Sequence, residues 1–264
     1  MPTALFLSPH LDDVAFSCGG TLARLKARGW KVVLATVFTH SVPHPTGFAL
    51  ACQTDKGIAP EVDYMALRRE EDDDFGRVMR VDERLCLDLP EAPHRGYVKA
   101  TLFQAPLAED LIGPAMKERL APLLREHRPD LVFVPQALGS HVDHVQLVRT
   151  LPTLGLEAAR VLWYRDTPYA VRQPEARPDP SLPAGLRPLA VDVTEELARK
   201  VEGCNCYRTQ VDFQFGGAPA VGPTLDAFHE REARSQGRPG RAEVFLVAET
   251  LPADTWEALG HQAA

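Results

Sequence analysis

The chain has 264 residues, of which 45% are hydrophobic and 25% charged, and its formal net charge at pH 7 is -7. The composition is typical of a globular protein. The length suffices for one large domain, which is predicted to span residues 1–264. Because the net charge is negative and no basic stripe is present, we expect no nucleic-acid partner. No apolar segment approaches the length of a membrane span and no signal-type segment is found, so a cytoplasmic location is expected. The oligomeric state, including a homo-oligomer, is left open.

The five cysteines do not suggest a disulfide framework. Cys204 and Cys206 are separated by a single residue, which is closer than the spacing of structural zinc sites. We therefore expect ordinary buried or half-buried thiols.

Short apolar runs alternate with segments of helical period, which is typical of a mostly parallel sheet covered by helices on both faces. The predicted strands are 4–9, 31–39, 84–89, 131–135, 159–164, 189–193 and 242–248. The predicted helices are 14–28, 64–79, 111–127, 144–151, a helix capped by Thr194, and 226–236. Segments 40–60, 90–106 and 168–188 are rich in proline, glycine or polar residues and are predicted to be loops. The predicted fold class is α/β, three-layered and Rossmann-like.

Two of these strands are followed by histidine and aspartate. The run after the first strand contains His10, Asp12 and Asp13, and the run after the fourth contains His141, Asp143 and His144. In open α/β sheets, ligands bind at the edge formed by the carboxyl ends of the strands. Both runs are therefore expected to face one site.

The residue types in these runs predict a metal centre. His10 and Asp13 lie three residues apart and can converge on one ion, and His144 can supply a third ligand from the other strand end. Two histidines and one carboxylate, with a position left open, form the ligand set of catalytic zinc hydrolases and of some iron(II) sites. We predict Zn²⁺, with Fe²⁺ as the alternative. A bound divalent ion lowers the pKa of its water to about 7 and so generates a nucleophile at neutral pH.

The remaining side chains of the two runs are expected to move protons and stabilise charge. Asp12, next to the predicted ligand Asp13, can take a proton from the water as a general base. His141 lies one helical turn before His144 and can overhang the same cavity. Asp143 can hold a ring N–H of a histidine and favour its cationic form. A cationic His141 would stabilise an oxyanion or protonate a leaving amine.

The two motifs resemble the signatures of the LmbE/PIG-L family of metal-dependent N-acetylglucosamine deacetylases. The family carries a His-Pro-Asp-Asp run after the first strand, which is His10-Leu11-Asp12-Asp13 here, with Leu11 in place of proline. Its later His-x-Asp-His run is His141-Val142-Asp143-His144. The resemblance continues at Gly19-Gly20 and, with lower specificity, over most of the chain.

The resemblance implies roles for the residues that match. The metal ligands would be His10, Asp13 and His144, the general base Asp12, and the electrophilic or acid partner His141, oriented by Asp143. The family's Arg-x-x-Glu on the second helix is met by Arg68, which would contact the sugar, with a surface ion pair to Glu71 or Asp72 as the alternative. Glu91 matches a family carboxylate and is a further expected substrate-binding residue.

One oxyanion donor is not identified by the resemblance. A family tyrosine two residues before the second motif is replaced by Gly139. Arg165 or Tyr164, at the end of the fifth predicted strand, could take its place. Arg165 is therefore included among the expected substrate-binding residues.

The resemblance implies a zinc-dependent N-deacetylase whose partner is a small-molecule amino-sugar conjugate and whose products are acetate and a free amine. Two other functions stay open. The first is a metal-dependent amidase acting on a non-sugar amide, with the choice set by the three predicted loops. The second is a non-catalytic nucleotide-binding module, supported only by Gly19-Gly20, which lack the spacing of a phosphate loop.

Overall fold

The computed structural model describes residues 1–249 and 259. The strands are β1 (Thr3–Ser8), β2 (Lys31–Phe38), β3 (Glu83–Leu89), β4 (Leu131–Pro135), β5 (Val161–Tyr164), β6 (Arg187–Asp192) and β7 (Ala242–Val247). The helices are α1 (Asp13–Ala27), α2 (Gly47–Thr54), α3 (Tyr64–Met79), α4 (Ile112–His127), α5 (Val142–Thr150), α6 (Tyr169–Arg172), α7 (Leu197–Cys204), α8 (Arg208–Phe215) and α9 (Ala218–Ser235). A single domain over residues 1–264 stays a prediction, and residues 250–258 and 260–264 lie outside the described residues.

The strands form one seven-stranded sheet in the order β3-β2-β1-β4-β5-β7-β6. Strands β1 to β5 pair in parallel, and β7 runs antiparallel to both β5 and β6. This mostly parallel sheet confirms the predicted α/β fold class. From β1 the chain builds outward to β2 and β3 on one side and to β4 and β5 on the other. The carboxyl ends of β1 and β4 therefore flank the topological switch point, where such sheets bind ligands.

The core is divided by the sheet into two layers. Along β1, Ala4 and Phe6 pack into the layer that contains α1, whereas Leu5 and Leu7 pack into the layer that contains α4 and α5. This alternation follows from the two-residue period of a strand. The Phe6 ring stacks on Phe133 of β4, with 4.2 Å between the ring centroids. Because both faces are buried, the strands are nearly continuous apolar runs.

Four helices lie wholly or partly where the sequence patterns predicted loops or no helix. Helix α2 lies inside the predicted loop 40–60 and α6 inside the predicted loop 168–188, α8 was not predicted, and α9 begins at Ala218 rather than at 226. Pro219 obscured the start of α9, although proline is well tolerated in the first turn of a helix. None of the described helices is long and apolar enough to cross a membrane.

A buried ion pair supports α1 at an interruption. The helix departs from helical geometry at Cys18, where φ is -138°. The carboxylate of Glu243 accepts the backbone N–H groups of Gly20 and Thr21 at 2.9 and 2.7 Å. Lys200 Nζ donates to Glu243 Oε1 at 2.8 Å, and both side chains are buried. Side-chain atoms thus satisfy backbone groups near the interruption.

The Gly19-Gly20 pair has a packing role in this arrangement. A Cβ atom on Gly20 would lie 2.9 Å from both Glu243 Oε1 and Val193. One on Gly19 would lie 3.4 Å from Lys200 Cγ. The pair lies inside α1 rather than in a phosphate-binding loop, so it gives no support to the nucleotide-binding hypothesis.

Replacing Glu243 with alanine is expected to lower the free energy of unfolding by about 3–5 kcal/mol, because Lys200 would lose its buried counter-ion. Urea unfolding followed by circular dichroism measures this change. The control is Arg199→Ala, which removes an exposed pair with Glu202 on the same helix and should cost less than about 1 kcal/mol. Equal effects of the two substitutions would contradict the prediction.

Candidate metal centre

The segments that follow β1 and β4 meet at the switch point and form the floor of a cavity of about 270 Å³. His10, Asp12, Asp13, His141 and Asp143 all line this cavity. His144 lies with them and is fully buried. The structure therefore brings together all six side chains that the sequence assigned to one site.

Three of these side chains place one atom each at nearly equal separations. Asp13 Oδ2 lies 3.2 Å from His10 Nδ1 and 3.2 Å from His144 Nε2, and the two nitrogens are 3.3 Å apart. Metal–ligand bonds of about 2.0–2.1 Å in a tetrahedral site require ligand atoms about 3.3 Å apart. The triangle thus fits a single zinc-sized ion. A wider group joins His10, His141 and His144, whose ligand atoms lie within 4.8 Å of one another.

Buried carboxylates hold the other nitrogen of both histidines in the triangle. His10 Nε2 lies 2.9 Å from Asp143 Oδ2, and His144 Nδ1 lies 2.6 Å from Asp166 Oδ1. Such carboxylate partners fix the ring orientation and the tautomer of metal-binding histidines. The nitrogens that face each other across the triangle are therefore the ones available to an ion.

The charges of the site also suit a cation. Burial alone would raise the pKa of Asp13, but His144 and His10 outweigh it and hold this pKa well below its ordinary value. Burial alone would lower the pKa of His144, but Asp13 and Asp166 raise it to about 9. The buried carboxylates thus favour positive charge on the histidines. A divalent ion would supply that positive charge directly.

The turn after β1 is held by local hydrogen bonds. Ser8 Oγ donates to the carbonyl of His10 at 2.6 Å and accepts the N–H of Val14 at 3.2 Å. Asp13 Oδ2 accepts the N–H of His10 at 2.8 Å. Asp12 has φ of 152°, a region that L-residues rarely adopt. The turn therefore holds Asp12 in a strained conformation at the cavity floor.

Arg68 and Glu91 lie beside Asp12 on the cavity floor. Burial raises the pKa of Asp12 to about 7, although the nearby Arg68 opposes this. Arg68 Nη2 lies 3.6 Å from Asp12 Oδ2, and Arg68 Nη1 lies 2.5 Å from Glu91 Oε1. Arg68 and Glu91 therefore face the cavity together. Of the two alternative partners, Glu71 accepts the backbone N–H and the hydroxyl of Thr209, and Asp72 accepts the hydroxyl of Tyr207.

Asp143 does not orient His141 in the expected way. Its carboxylate contacts His10 and also Arg95 Nη2, which lies 2.8 Å from Oδ1. The link to His141 is through the backbone, since His141 Nδ1 accepts the N–H of Asp143 at 3.3 Å. Burial and the adjacent His10 lower the pKa of His141 well below its ordinary value. The ring is therefore neutral, whereas the sequence analysis expected a cationic ring.

Neither residue suggested at the end of β5 reaches the cavity wall. Arg165 Nε lies 3.4 Å from Glu232 Oε2, and the Tyr164 hydroxyl donates to a backbone carbonyl of β1. Tyr169 of α6 lines the cavity instead. A Cβ atom on Gly139 would lie 2.7 Å from its ring, so the ring occupies the space above this glycine. Tyr169, and not Arg165, therefore lines the cavity beside Gly139.

Sequence reasoning missed Asp166, although a signal for it existed. Asp166 follows β5, whose carboxyl end lies at the same sheet edge as the ends of β1 and β4. The sequence interpretation of that strand end named only Tyr164 and Arg165. Arg95, which contacts Asp143, lies in a predicted loop and had no sequence signal.

Replacing Asp166 with asparagine is expected to weaken zinc binding by about 10–100-fold, because His144 would lose its charged partner. Competition with a chromophoric chelator measures the dissociation constant of the purified protein. Asp226→Asn, which alters a surface pair with Arg241 far from the triangle, serves as the control. An unchanged affinity in the Asp166 variant would contradict the prediction.

The fold and the site together define an α/β protein with a centre of two histidines and one carboxylate at the switch point of a mostly parallel sheet. The family model PIG-L, GlcNAc-PI de-N-acetylase, matches residues 5–154. This chain belongs to that family, which confirms the resemblance found in the two motifs.

Three similar proteins are deacetylases. The 2'-N-acetylparomamine deacetylase of Streptomyces fradiae is 34% identical over 212 residues, which are 79% of this chain and 73% of that protein. A deacetylase of teicoplanin biosynthesis, solved as its bog complex, is 25% identical with a TM-score of 0.79 over 92% of this chain and 96% of its own. The A40926 pseudoaglycone deacetylase Dbv21 is 26% identical with a TM-score of 0.75 over the same shares. These structures share the fold described above.

Proposed function

We propose that this protein is a zinc-dependent N-deacetylase that hydrolyses the acetamide group of an amino-sugar conjugate to acetate and a free amine. The observation that carries the proposal is the triangle of three ligand atoms 3.2–3.3 Å apart, with Asp12 beside it on the cavity floor. The deacetylase relatives support the reaction and the substrate class. Fe²⁺ is the alternative metal, since the same ligand types accept it.

His10, Asp13 and His144 are the residues that would hold the ion. When bound, the ion supplies Lewis acidity, which lowers the pKa of water and polarises the amide carbonyl. The carboxylates of Asp143 and Asp166 keep the two rings aimed at the ion.

Asp12 is assigned the proton transfers of the reaction. It takes a proton from the attacking water as the new C–O bond forms, and it passes that proton to the amine nitrogen as the C–N bond breaks. A carboxylate whose pKa lies near 7 suits both steps at neutral pH. Arg68, 3.6 Å away, restrains this carboxylate and favours its charged form.

His141 is assigned the stabilisation of the tetrahedral oxyanion. Because its Nδ1 accepts a backbone N–H, the ring proton lies on Nε2 and can be donated to a ligand in the cavity. A neutral ring serves as a hydrogen-bond donor, so it replaces the cationic acid expected from the sequence. We assign Arg68 and Glu91 to the sugar hydroxyls, since both line the cavity beside Asp12.

The test is a substrate panel with detection of both acetate and free amine. We expect hydrolysis of N-acetylglucosamine glycosides by the zinc-loaded protein and no hydrolysis of N-acetylated amino acids. Hydrolysis of the amino acids alone would favour the non-sugar amidase. No release of acetate from either group would overturn the proposal.

A further inference from the structure

We infer that the group attached to the amino sugar of the substrate is apolar, either aromatic or alkyl, and that it binds to three phenylalanine side chains at the cavity entrance. These three, Phe48, Phe103 and Phe213, are called the aromatic mouth below. The inference rests on the proposed function and adds the chemical class of the conjugate.

The aromatic mouth is assembled from separate parts of the chain. Phe48 lies on α2, Phe103 lies between β3 and α4, and Phe213 lies on α8. All three line the cavity whose floor holds His10 and Asp12. The Phe103 ring also reaches the proposed centre, with 5.4 Å between its centroid and that of His141. The mouth is therefore continuous with the catalytic floor.

The exposure of these rings is unusual for this protein. Among the aromatic side chains of residues 1–249, Phe103 and Phe213 are the two that are exposed, at 43% and 63%. Phe48 is half-buried beside them. Exposed apolar patches are disfavoured in water and mark binding grooves when they are contiguous with a cavity. Both exposed aromatic rings lie at this one cavity.

The charges of the wall disfavour a polycationic conjugate. Asp12 and Glu91 share Arg68, Asp13 contacts two histidines, and Asp143 contacts His10 and Arg95, so these four carboxylates of the lining already have partners. The other charged residues of the lining are Lys56, Lys99 and Asp55. A ligand with several ammonium groups would meet net positive charge there.

The side chain of Lys56 is held beside the aromatic mouth. Its Nζ donates to the carbonyl of Cys52 at 2.6 Å and lies 5.2 Å from the centroid of the Phe213 ring. A similar distance of 5.3 Å separates it from the ring of Tyr64. A cation is thus already seated on the Phe213 ring, which leaves the exposed part of that ring for apolar contact.

The cavity is large enough for only part of the proposed substrate. Its volume of about 270 Å³ lies just below the range of about 300–1,000 Å³ that is typical of small-molecule pockets. The floor therefore suits one sugar ring with its acetamide group, and the attached group must extend along the mouth. Contact with the two exposed rings favours the binding of an apolar group at that position.

The inference is tested by comparing kcat/KM for N-acetylglucosaminides that differ only in the attached group: methyl, octyl and 4-nitrophenyl. We expect the octyl or the 4-nitrophenyl compound to exceed the methyl compound by at least about 10-fold. A preference for one of the two separates an alkyl from an aromatic conjugate. We also expect 2'-N-acetylparomamine, a polyamine, to be hydrolysed no faster than the methyl compound.

Phe213→Ala should reduce the ratio of kcat/KM for the apolar substrate to kcat/KM for the methyl substrate by about 5-fold. Leu111→Ala should leave this ratio unchanged. Leu111 is a matched control because it is 76% exposed and lies outside this cavity. The ratio is independent of the amount of active enzyme, so partial misfolding of a variant does not alter it. A wild-type ratio near one, or a preference for the polyamine, would overturn the inference and leave the deacetylase function intact. Failure to hydrolyse any compound would overturn both.

Discussion

Replacing Asp12 with asparagine is expected to lower kcat for deacetylation by about 10²–10⁴-fold while the bound zinc stays at one ion per chain. The carboxylate lies on the cavity floor, and its pKa of about 7 suits a group that accepts and returns a proton at neutral pH. Asparagine has nearly the same shape and tolerates a positive φ, so the strained turn at φ 152° should be retained. Steady-state kinetics and elemental analysis of the same preparation measure both quantities.

The matched control for this prediction is Asp88→Asn. Asp88 also has a positive φ, 57°, but its carboxylate contacts His40 in a partly exposed pair away from the metal triangle. That variant should keep wild-type kcat and metal content. If Asp12→Asn retained more than about a tenth of the wild-type kcat, Asp12 would not be the general base. Loss of zinc from the variant would instead make Asp12 part of the metal site.

Replacing His144 with alanine is expected to remove stoichiometric zinc and to reduce kcat/KM by at least about 10³-fold. His144 Nε2 is one corner of the triangle, and the ring is fully buried. The loss follows because Lewis acidity contributes several kcal/mol of transition-state stabilisation, and each 1.36 kcal/mol is about tenfold in rate. Elemental analysis of purified protein and steady-state kinetics measure the two effects.

Two controls accompany the His144 variant. His40→Ala removes another histidine that is paired with an aspartate, yet it should retain both metal and activity. Because His144→Ala leaves Asp166 without its partner and can impair folding, the unmutated protein is also dialysed against a chelator. Dialysis should abolish hydrolysis, and one equivalent of Zn²⁺ or Fe²⁺ should restore it. Full activity in protein shown to be metal-free would contradict a metal-dependent mechanism.

The residues of the metal triangle could be predicted because the signal was local. A buried apolar run that ends just before His10 and Asp13 predicts ligands at the end of a strand, and the run that ends at Pro135 is followed in the same way by the motif that contains His144. Parallel strands then bring their carboxyl ends to one edge, whatever the details of the helices. The sheet and the three-residue cluster therefore followed from short stretches of sequence.

The supporting contacts could not be predicted in the same way, because they join residues far apart in the chain. Asp143 was expected to orient the neighbouring His141, but the packed structure directs its carboxylate to His10 and Arg95 instead. Asp166, 22 positions after His144, holds that ring only because β5 lies beside β4. Arg165, one residue earlier, is directed to Glu232.

By itself, the sequence determined the alternation of strands and helices, the strand ends that carry the chemistry, and the identity of three side chains suited to one cation. These features depend on the period of apolar residues and on the spacing of a few polar ones, both of which are local. Only the tertiary structure decided which carboxylate contacts which histidine and which aromatic rings surround the entrance of the cavity. Those contacts depend on how all side chains compete for buried partners in the folded chain. They therefore cannot be predicted from any short stretch of sequence.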